Sequence, residues 1–234
     1  MKKLALFDFC ETLVDFQTAG PYVDFIRLKT GSEKMQRLEK MRILLKKIRV
    51  TAVINKLFPW YSFDKRLKLF QLKGFSRSTL EKYAEIYYRS RIVPEMIPDL
   101  LNEMNKLKAG GYTITIISGG YSIYLDSFAK DHQIDHVIAS EIAFNSKEIC
   151  TGKLKGTDCM YHYKIDKLKD HFFPETIVAK ESVFYSDSIT DLPLLLWAGQ
   201  AVVVSKEKKQ SWAASHGLNE IVWKKENSIP AKIK

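Results

Sequence analysis

Three times in this chain a short apolar run stops at polar, chemistry-bearing residues and gives way to a helix signal. Leu4-Ala5-Leu6-Phe7 ends at Asp8, Ile114-Thr115-Ile116-Ile117 ends at Ser118-Gly119-Gly120, and Val183-Phe184-Tyr185 ends at Ser186-Asp187. Short apolar runs of this kind suit strands buried on both faces, which belong to parallel sheets covered by helices. In open α/β sheets, ligands bind outside the carboxyl ends of the strands. The polar residues at the run ends are therefore the candidate site.

The chain around them fits that frame. Pro94–Lys108 reads as a helix closed by Gly110-Gly111, Tyr112–Ile117 as a strand, Ser122–His132 as a helix and His136–Ala139 as a strand. Ile142–Thr151 with Lys153–Lys155 reads as a hairpin or extended excursion. Tyr161–His171 is predicted helix, Val183–Tyr185 strand, Asp191–Ala198 helix, Ala201–Val204 strand, Trp212–His216 a short helix and Ile221–Trp223 an edge strand. This alternation predicts an α/β fold with a doubly wound, mostly parallel sheet. Residues 16–93 show no strand pattern and read as an all-helical insertion. There, Gly20-Pro21 opens a helix over Tyr22–Leu28 and Ser32 caps the next. Met35, Leu38, Met41, Leu45, Ile48 and Ala52 recur at helical spacing and predict one helix that Phe58-Pro59 ends or kinks. A further helix covers 64–72 and stops near Gly74. Ser78-x-x-Glu81 is a capping box for a last one over 79–92. The predicted domains are a core of residues 1–15 and 94–234 and a helical domain of 16–93. Ser228–Lys234 reads as loose.

With 234 residues, 46% of them hydrophobic, the chain can bury a sizeable core. No run approaches the roughly 18 apolar residues that a spanning helix needs. Asp8 and Glu11 break the N-terminal apolar run, which excludes a secretory signal, and the expected location is cytoplasmic. Cys10, Cys150 and Cys159 are sparse and odd in number, which excludes a disulfide framework. The net charge of +10 is local: residues 27–91 hold 18 Lys and Arg against 5 Asp and Glu, and the rest of the chain holds 19 against 22. A solvated basic surface accounts for this. An anionic membrane surface or an anionic substrate are the sharper partners, and nucleic acid ranks last because no binding motif accompanies the charge.

Asp8-Phe9-Cys10-Glu11-Thr12 is similar to motif I of the haloacid dehalogenase (HAD) superfamily, usually Asp-x-Asp-x-Thr. Ile114–Gly120 is similar to its motif II. A strand-end hydroxyl and two glycines before a helix offer a phosphate one O–H and accessible backbone N–H groups. Lys164, which opens a helix anchored by Leu168 one turn on, resembles the family's helix-start lysine. Val183–Leu195 carries Asp187 and Asp191 four residues apart at a strand end. Two such carboxylates repel unless a cation sits between them, and oxygen ligands suit Mg²⁺. Its Tyr-Ser-Asp-Ser-x-x-Asp-Leu-Pro-Leu-Leu form resembles motif IV of the phosphoserine phosphatase-like subfamily IB. Four motifs in this order identify the chain as a member of the superfamily. The resemblance implies a HAD-like Rossmannoid core with the helical insertion as its cap.

What the resemblance implies about chemistry is an Mg²⁺-dependent phosphatase acting on a small phosphorylated substrate. Asp8 would attack phosphorus and form an aspartyl-phosphate. Mg²⁺ would be held by the Asp8 carboxylate, the Cys10 backbone carbonyl and Asp187, with Asp191 a ligand or an orienting group. Ser118, the Gly119 amide and Lys164 would hold the phosphoryl oxygens, and Thr12 would brace the motif I loop. Cys10 departs from the pattern. Most family phosphatases carry there the Asp that protonates the leaving group and later activates water, whereas a thiol donates weakly and has an ordinary pKa of about 8.5. Three accounts follow: a phosphatase that draws its proton elsewhere, a phosphotransferase, or a protein that binds phosphorylated ligands without turnover. Glu11 points elsewhere in an extended loop, Cys150 and Cys159 read as packing residues, and the five histidines show no ligand spacing. The glutamate with which phosphoserine phosphatases hold serine has no counterpart after motif I, so phosphoserine is not the favoured substrate. A small metabolite, a sugar phosphate or a lipid phosphate fits as well.

Overall fold

The first apolar run becomes the middle of the molecule. In the computed structural model, which describes residues 2–225, β1 (Leu4–Phe7) is buried along its whole length. Leu4 and Leu6 face one hydrophobic layer and Ala5 and Phe7 the other, as the two-residue period of a strand requires. The chain then forms α1 (Ala19–Thr30), α2 (Glu33–Lys47), α3 (Val50–Leu57), α4 (Phe63–Phe70) and α5 (Arg77–Tyr87). Next come α6 (Pro98–Ala109), β2 (Thr113–Tyr121), α7 (Ser122–His132), β3 (His136–Phe144) and β4 (Cys150–Lys155). The last part holds α8 (Tyr163–Phe172), β5 (Val183–Ser186), α9 (Leu192–Trp197), β6 (Gln200–Lys206), α10 (Ser211–Ser215) and β7 (Asn219–Trp223).

The described strands form one sheet in the order β4-β3-β2-β1-β5-β6-β7. Every pairing is parallel except β3 with β4. The chain leaves β1 for β2 and β3 on one side and returns to β5 and β6 on the other. The strand order therefore reverses at β1, and the sheet's crevice opens between its carboxyl end and those of β2 and β5.

The α/β class and the strand–helix alternation hold, with local corrections. Met35 to Ala52 is not one helix. Arg49 takes a left-handed conformation (φ 61°) between α2 and α3 and breaks the helix there. Of the residues that predicted that helix, Met35 is buried, whereas Met41 and Ile48 are exposed. The cap of α5 is Ser76, whose Oγ accepts from the Thr79 amide; Ser78 already lies in the first turn. Pro94 sits in a short 3₁₀ turn, and α6 begins four residues later with Pro98 in its first turn. β2 and β3 run longer than their apolar cores, because strand geometry continues through Ser118–Tyr121 and through the β4 pairing. The loose segment expected at Ser228–Lys234 lies outside the described residues.

Residues 16–93 contribute no strand to the sheet among the described residues. Their two connections to it run side by side. Val14 bridges Met96, the Ile97 amide donates to the Leu13 carbonyl, and the Asp15 amide donates to the Glu95 carbonyl. On the far side, α4 rests on β4. A β-carbon on Gly152 (φ +74°) would lie 3.1 Å from Phe70 Cα, so glycine is what lets the helix approach.

A buried polar network joins α1, α2 and α4, beside an apolar cluster to which Ile26, Met35 and Leu69 contribute. Buried Glu39 accepts from Arg42 at 2.9 and 3.0 Å, from Lys68 at 3.0 Å and from Gln71 at 2.6 Å. Lys68 reaches on to Asp24 at 2.7 Å and Arg42 to Asp64 at 2.5 Å. The Arg42 hydrogen bonds hold the Glu39 carboxyl down at about 2. Glu39→Ala leaves two buried cations short of a partner, and the expected loss at neutral pH is about 3–5 kcal/mol in denaturant melts. Because the folded pKa is depressed, this stabilisation is present above the ordinary Glu value of about 4.3. It is lost as pH falls toward about 2. The gap between wild type and variant should therefore close on acidification.

Candidate active site

The carboxyl ends of β1, β2 and β5 and the start of α8 converge on one cavity of about 100 Å³. Asp8, Cys10, Ser118, Gly119, Lys164, Asp187 and Asp191 all line it, so the fold brings together every site residue expected from the sequence. Glu11 is exposed and accepts from Gln17, and none of the five histidines lines the cavity. A larger hollow of about 810 Å³ beside Phe16, Phe25 and Lys225 contains none of the motif residues.

Asp8 is fixed by its own amide, which donates to the Tyr185 carbonyl at 2.9 Å. The residue is 6% exposed. The Lys164 ammonium lies 3.2 Å from Asp8 Oδ1 and also donates to Asp191 Oδ2, which takes a second hydrogen bond from Ser186 Oγ at 2.7 Å. Burial opposes the charge on Lys164, but Asp191 and Asp8 outweigh it and raise its pKa above the ordinary lysine value. Lys164 is therefore a permanent cation in a buried place, and Asp191 is its anchor.

Asp187 is tied to motif I. Thr12 Oγ1 donates to Asp187 Oδ1 at 3.0 Å and accepts from the Asp187 amide at 3.1 Å. Thr12 thus joins the two loops rather than only bracing its own. Burial, and next the charge of Asp8, push the Asp187 carboxyl up to about 8. Asp8 Oδ1 is buried and receives no hydrogen bond, since Lys164 is poorly directed toward it. Crowded carboxylates with an unfilled acceptor suit a small divalent cation. Among the described residues no three Asp, Glu, His or Cys side chains form a closed metal cluster.

Motif II shapes the floor. Ser118 Oγ accepts from the Gly120 amide at 3.1 Å. A β-carbon on Gly119 would lie 2.9 Å from Met160 Cγ, so any larger residue would push into the cavity wall. Cys10 is 7% exposed. Its Sγ lies 3.0 Å from Thr18 Oγ1, which lies 2.7 Å from the Tyr124 hydroxyl. Burial first, then Asp8, push the Cys10 thiol up to about 11. It is a protonated thiol at neutral pH.

Sequence reasoning missed Lys65, Thr18 and Asp158. Lys65, from α4, donates to the Gly119 carbonyl at 2.6 Å and to Ser140 Oγ at 3.2 Å, and pairs with the buried Asp158. One lysine among 18 basic residues carries no local signal, and neither Thr18 nor Asp158 sits in a patterned stretch.

A family model for haloacid dehalogenase-like hydrolases matches residues 5–196, and the chain belongs to that family. It is phosphoserine phosphatase-like within it. The chain is 26% identical over 226 residues to the phosphoserine phosphatase of Methanocaldococcus jannaschii, covering 94% of this chain and 96% of that one. It is 27% identical over 114 residues to that of Lactococcus lactis, where the match takes in 49% of this chain and only about half, 52%, of the relative. A protein of unknown function from Bordetella pertussis Tohama I shares the fold, with a TM-score of 0.78, 20% identity, and coverage of 94% of this chain and 98% of that one.

The Lys65–Asp158 pair gives a direct test of how the helical segment holds the site. Lys65→Met strands Asp158, whose Oδ2 already has no partner, and should cost about 3–5 kcal/mol. Asp158→Asn in the same chain should recover part of the loss. Additive losses in the double-mutant cycle would show that the two groups do not interact.

Proposed function

We propose that the protein is a phosphatase that hydrolyses a small phosphorylated metabolite through an aspartyl-phosphate on Asp8. The observation that carries this is the placement of Asp8 beside Lys164, Ser118 and Asp187 in one small cavity. The Asp8 carboxylate attacks phosphorus, the phosphorus–oxygen bond to the leaving group breaks, and the leaving oxygen takes a proton. Lys164, the Ser118 hydroxyl and the Gly119 amide offset the charge on the phosphoryl oxygens. Water then attacks the aspartyl-phosphate, releases phosphate and restores Asp8. In this reading Asp8, the Cys10 carbonyl and Asp187 would hold Mg²⁺, and Asp191 would orient the site through Lys164. Bound there, the cation would neutralise the crowded carboxylates and draw charge from the phosphoryl oxygens.

The site's size favours a compact substrate. Gln17 brings a neutral amide to the cavity, not a carboxylate, which supports a substrate other than phosphoserine. We assign residues 16–93 as a cap domain over a core of 1–15 and 94–234, a division supported by the paired crossings at Val14 and Met96. We assign the protein to the cytoplasm, where its three thiols stay reduced. No described helix is long and apolar enough to cross a membrane.

The direct test is phosphate release from p-nitrophenyl phosphate and from a panel of metabolites, with Mg²⁺ and after chelation. Asp8→Asn should abolish release, and chelation should remove it from the wild type. Full activity in Asp8→Asn would remove the nucleophile from this mechanism. Cys10 favours a second reading, a protein that binds phosphorylated ligands without turnover. Thermal stabilisation by such ligands with no phosphate released would establish that reading instead.

Cys10 also generates a sharper expectation. The thiol does not ionise at neutral pH and is a poor acid for an alkoxide. Cys10→Asp puts a carboxyl beside the Thr18 hydroxyl, which can hydrogen-bond it. General acid–base catalysis contributes about 10²–10⁴-fold, so kcat/KM for alkyl phosphates should rise toward that range. The rise for p-nitrophenyl phosphate, whose leaving group barely needs a proton, should be small. An unchanged alkyl-to-aryl ratio would mean that the proton comes from elsewhere.

A further inference from the structure

Helices on a protein surface ordinarily turn their apolar stripe inward. In α2 and α3 much of the apolar surface faces outward instead. The residues α2 buries are Met35 and Glu39, with Arg42 tied to Glu39 beside them. Its apolar stripe Met41, Leu44 and Ile48, at i, i+3 and i+7, faces solvent, with Ile48 58% exposed. In α3 only Thr51 is buried, while Val53 and Leu57 of the stripe Val50, Val53, Ile54 and Leu57 are exposed, Leu57 at 63%. Phe58, Trp60 and Tyr61 continue the surface. Scattered exposed apolar side chains need no explanation. Here nine of the sixteen large ones that are exposed among the described residues fall within Met41–Tyr61, and that density does.

The same stretch is basic without exception. Between Lys40 and Phe63 there are six Lys and Arg and no Asp or Glu. Arg42 is spent inside, on Glu39 and Asp64. Lys40, Lys46, Lys47, Arg49 and Lys56 are exposed and make no ion pair among the described residues. We infer that the outer face of α2 and α3, with the Phe58–Tyr61 turn, docks on an anionic lipid bilayer.

Charge decides between occupants. A second copy meeting this face by two-fold symmetry would set five unpaired cations against five. An anionic bilayer meets both halves of the surface. The apolar stripes enter the acyl boundary, Trp60 and Tyr61 sit at headgroup level, and the lysines reach the lipid phosphates along their own alkyl stems. At 15 and 8 residues, α2 and α3 would lie in the interface rather than cross it. The face adjoins α4, which carries Lys65 into the cavity. This inference needs no catalytic activity and can fail independently of it.

The experiment is sedimentation of the full chain with vesicles of phosphatidylcholine alone, or of phosphatidylcholine and phosphatidylserine in equal parts, at low and high salt. Sedimentation velocity is run beside it. Binding is expected on the mixed vesicles, little on the neutral ones, and less as salt screens the lysines. Lys46→Glu with Lys47→Glu should lower the partition coefficient at least about tenfold. Val53→Glu with Leu57→Glu should abolish binding while the thermal melt stays near that of the wild type, since both side chains are exposed. Equal sedimentation with both vesicles, or none with either, would overturn the inference. So would a dimer that Leu57→Glu dissociates without any vesicle binding, which would assign the face to a second copy.

Discussion

The Lys164 ammonium makes this site possible. Asp8, Asp187 and Asp191 are brought together by β1 and β5 and are largely withdrawn from water. Unpaired carboxylates in such a place would protonate or prevent folding. Lys164 reaches two of them, and Ser186 takes up the rest of Asp191's demand. The third, Asp187, has only the Thr12 hydroxyl and its pKa rises. One lysine thus leaves the cluster short of positive charge. In the proposed phosphatase reading a phosphate monoester would add to that deficit, and a divalent cation held by the same carboxylates would offset it.

The helical segment is held to this cluster by charge as well. Lys65 crosses from α4 to the Gly119 carbonyl and to Asp158, while the two chain crossings lie together at Val14 and Met96. One side of the segment therefore has paired covalent connections, and the other has an ion pair and the α4–β4 contact at Gly152. Lys65 therefore ties α4 to Gly119 of β2, which lines the cavity.

How much of this could be read from the sequence depended on how local each feature was. The ends of β1 and β5 were legible, because an apolar run followed by Asp or Ser is written in consecutive residues, whereas β2 runs on past its apolar core to Tyr121. So were the Ser32 cap and the gathering of Asp8, Ser118, Lys164 and Asp187. Lys65 and Asp158 were not, since they meet across 93 positions with no pattern at either end. Residues 35–52 misled for a different reason. Their helical spacing was real, but spacing reports amphipathicity and not which face is buried. Glu39 and Arg42 satisfy each other, which let polar side chains turn inward beside Met35 while Met41 and Ile48 stay outside.

Cys10 stands at the meeting point of these arguments. The position usually holds a second Asp, and here a further carboxylate would join three that a single lysine already fails to balance. A neutral thiol avoids that cost. It packs against the Thr18 hydroxyl, and Thr18 is fixed from two sides, by the Tyr124 hydroxyl at its Oγ1 and by the Tyr87 hydroxyl at its carbonyl. Tyr124 in turn takes the Tyr121 amide at the end of β2. The thiol therefore belongs to a buried chain of hydroxyls that links motif I to motif II and to α5. What the site gains in electrostatic ease it gives up in acid strength, since burial and Asp8 push the Cys10 thiol up to about 11, far above a carboxyl group. In the proposed phosphatase reading, the proton for a poor leaving group would then have to come from elsewhere, and this is the point on which that reading and the binding-only reading divide.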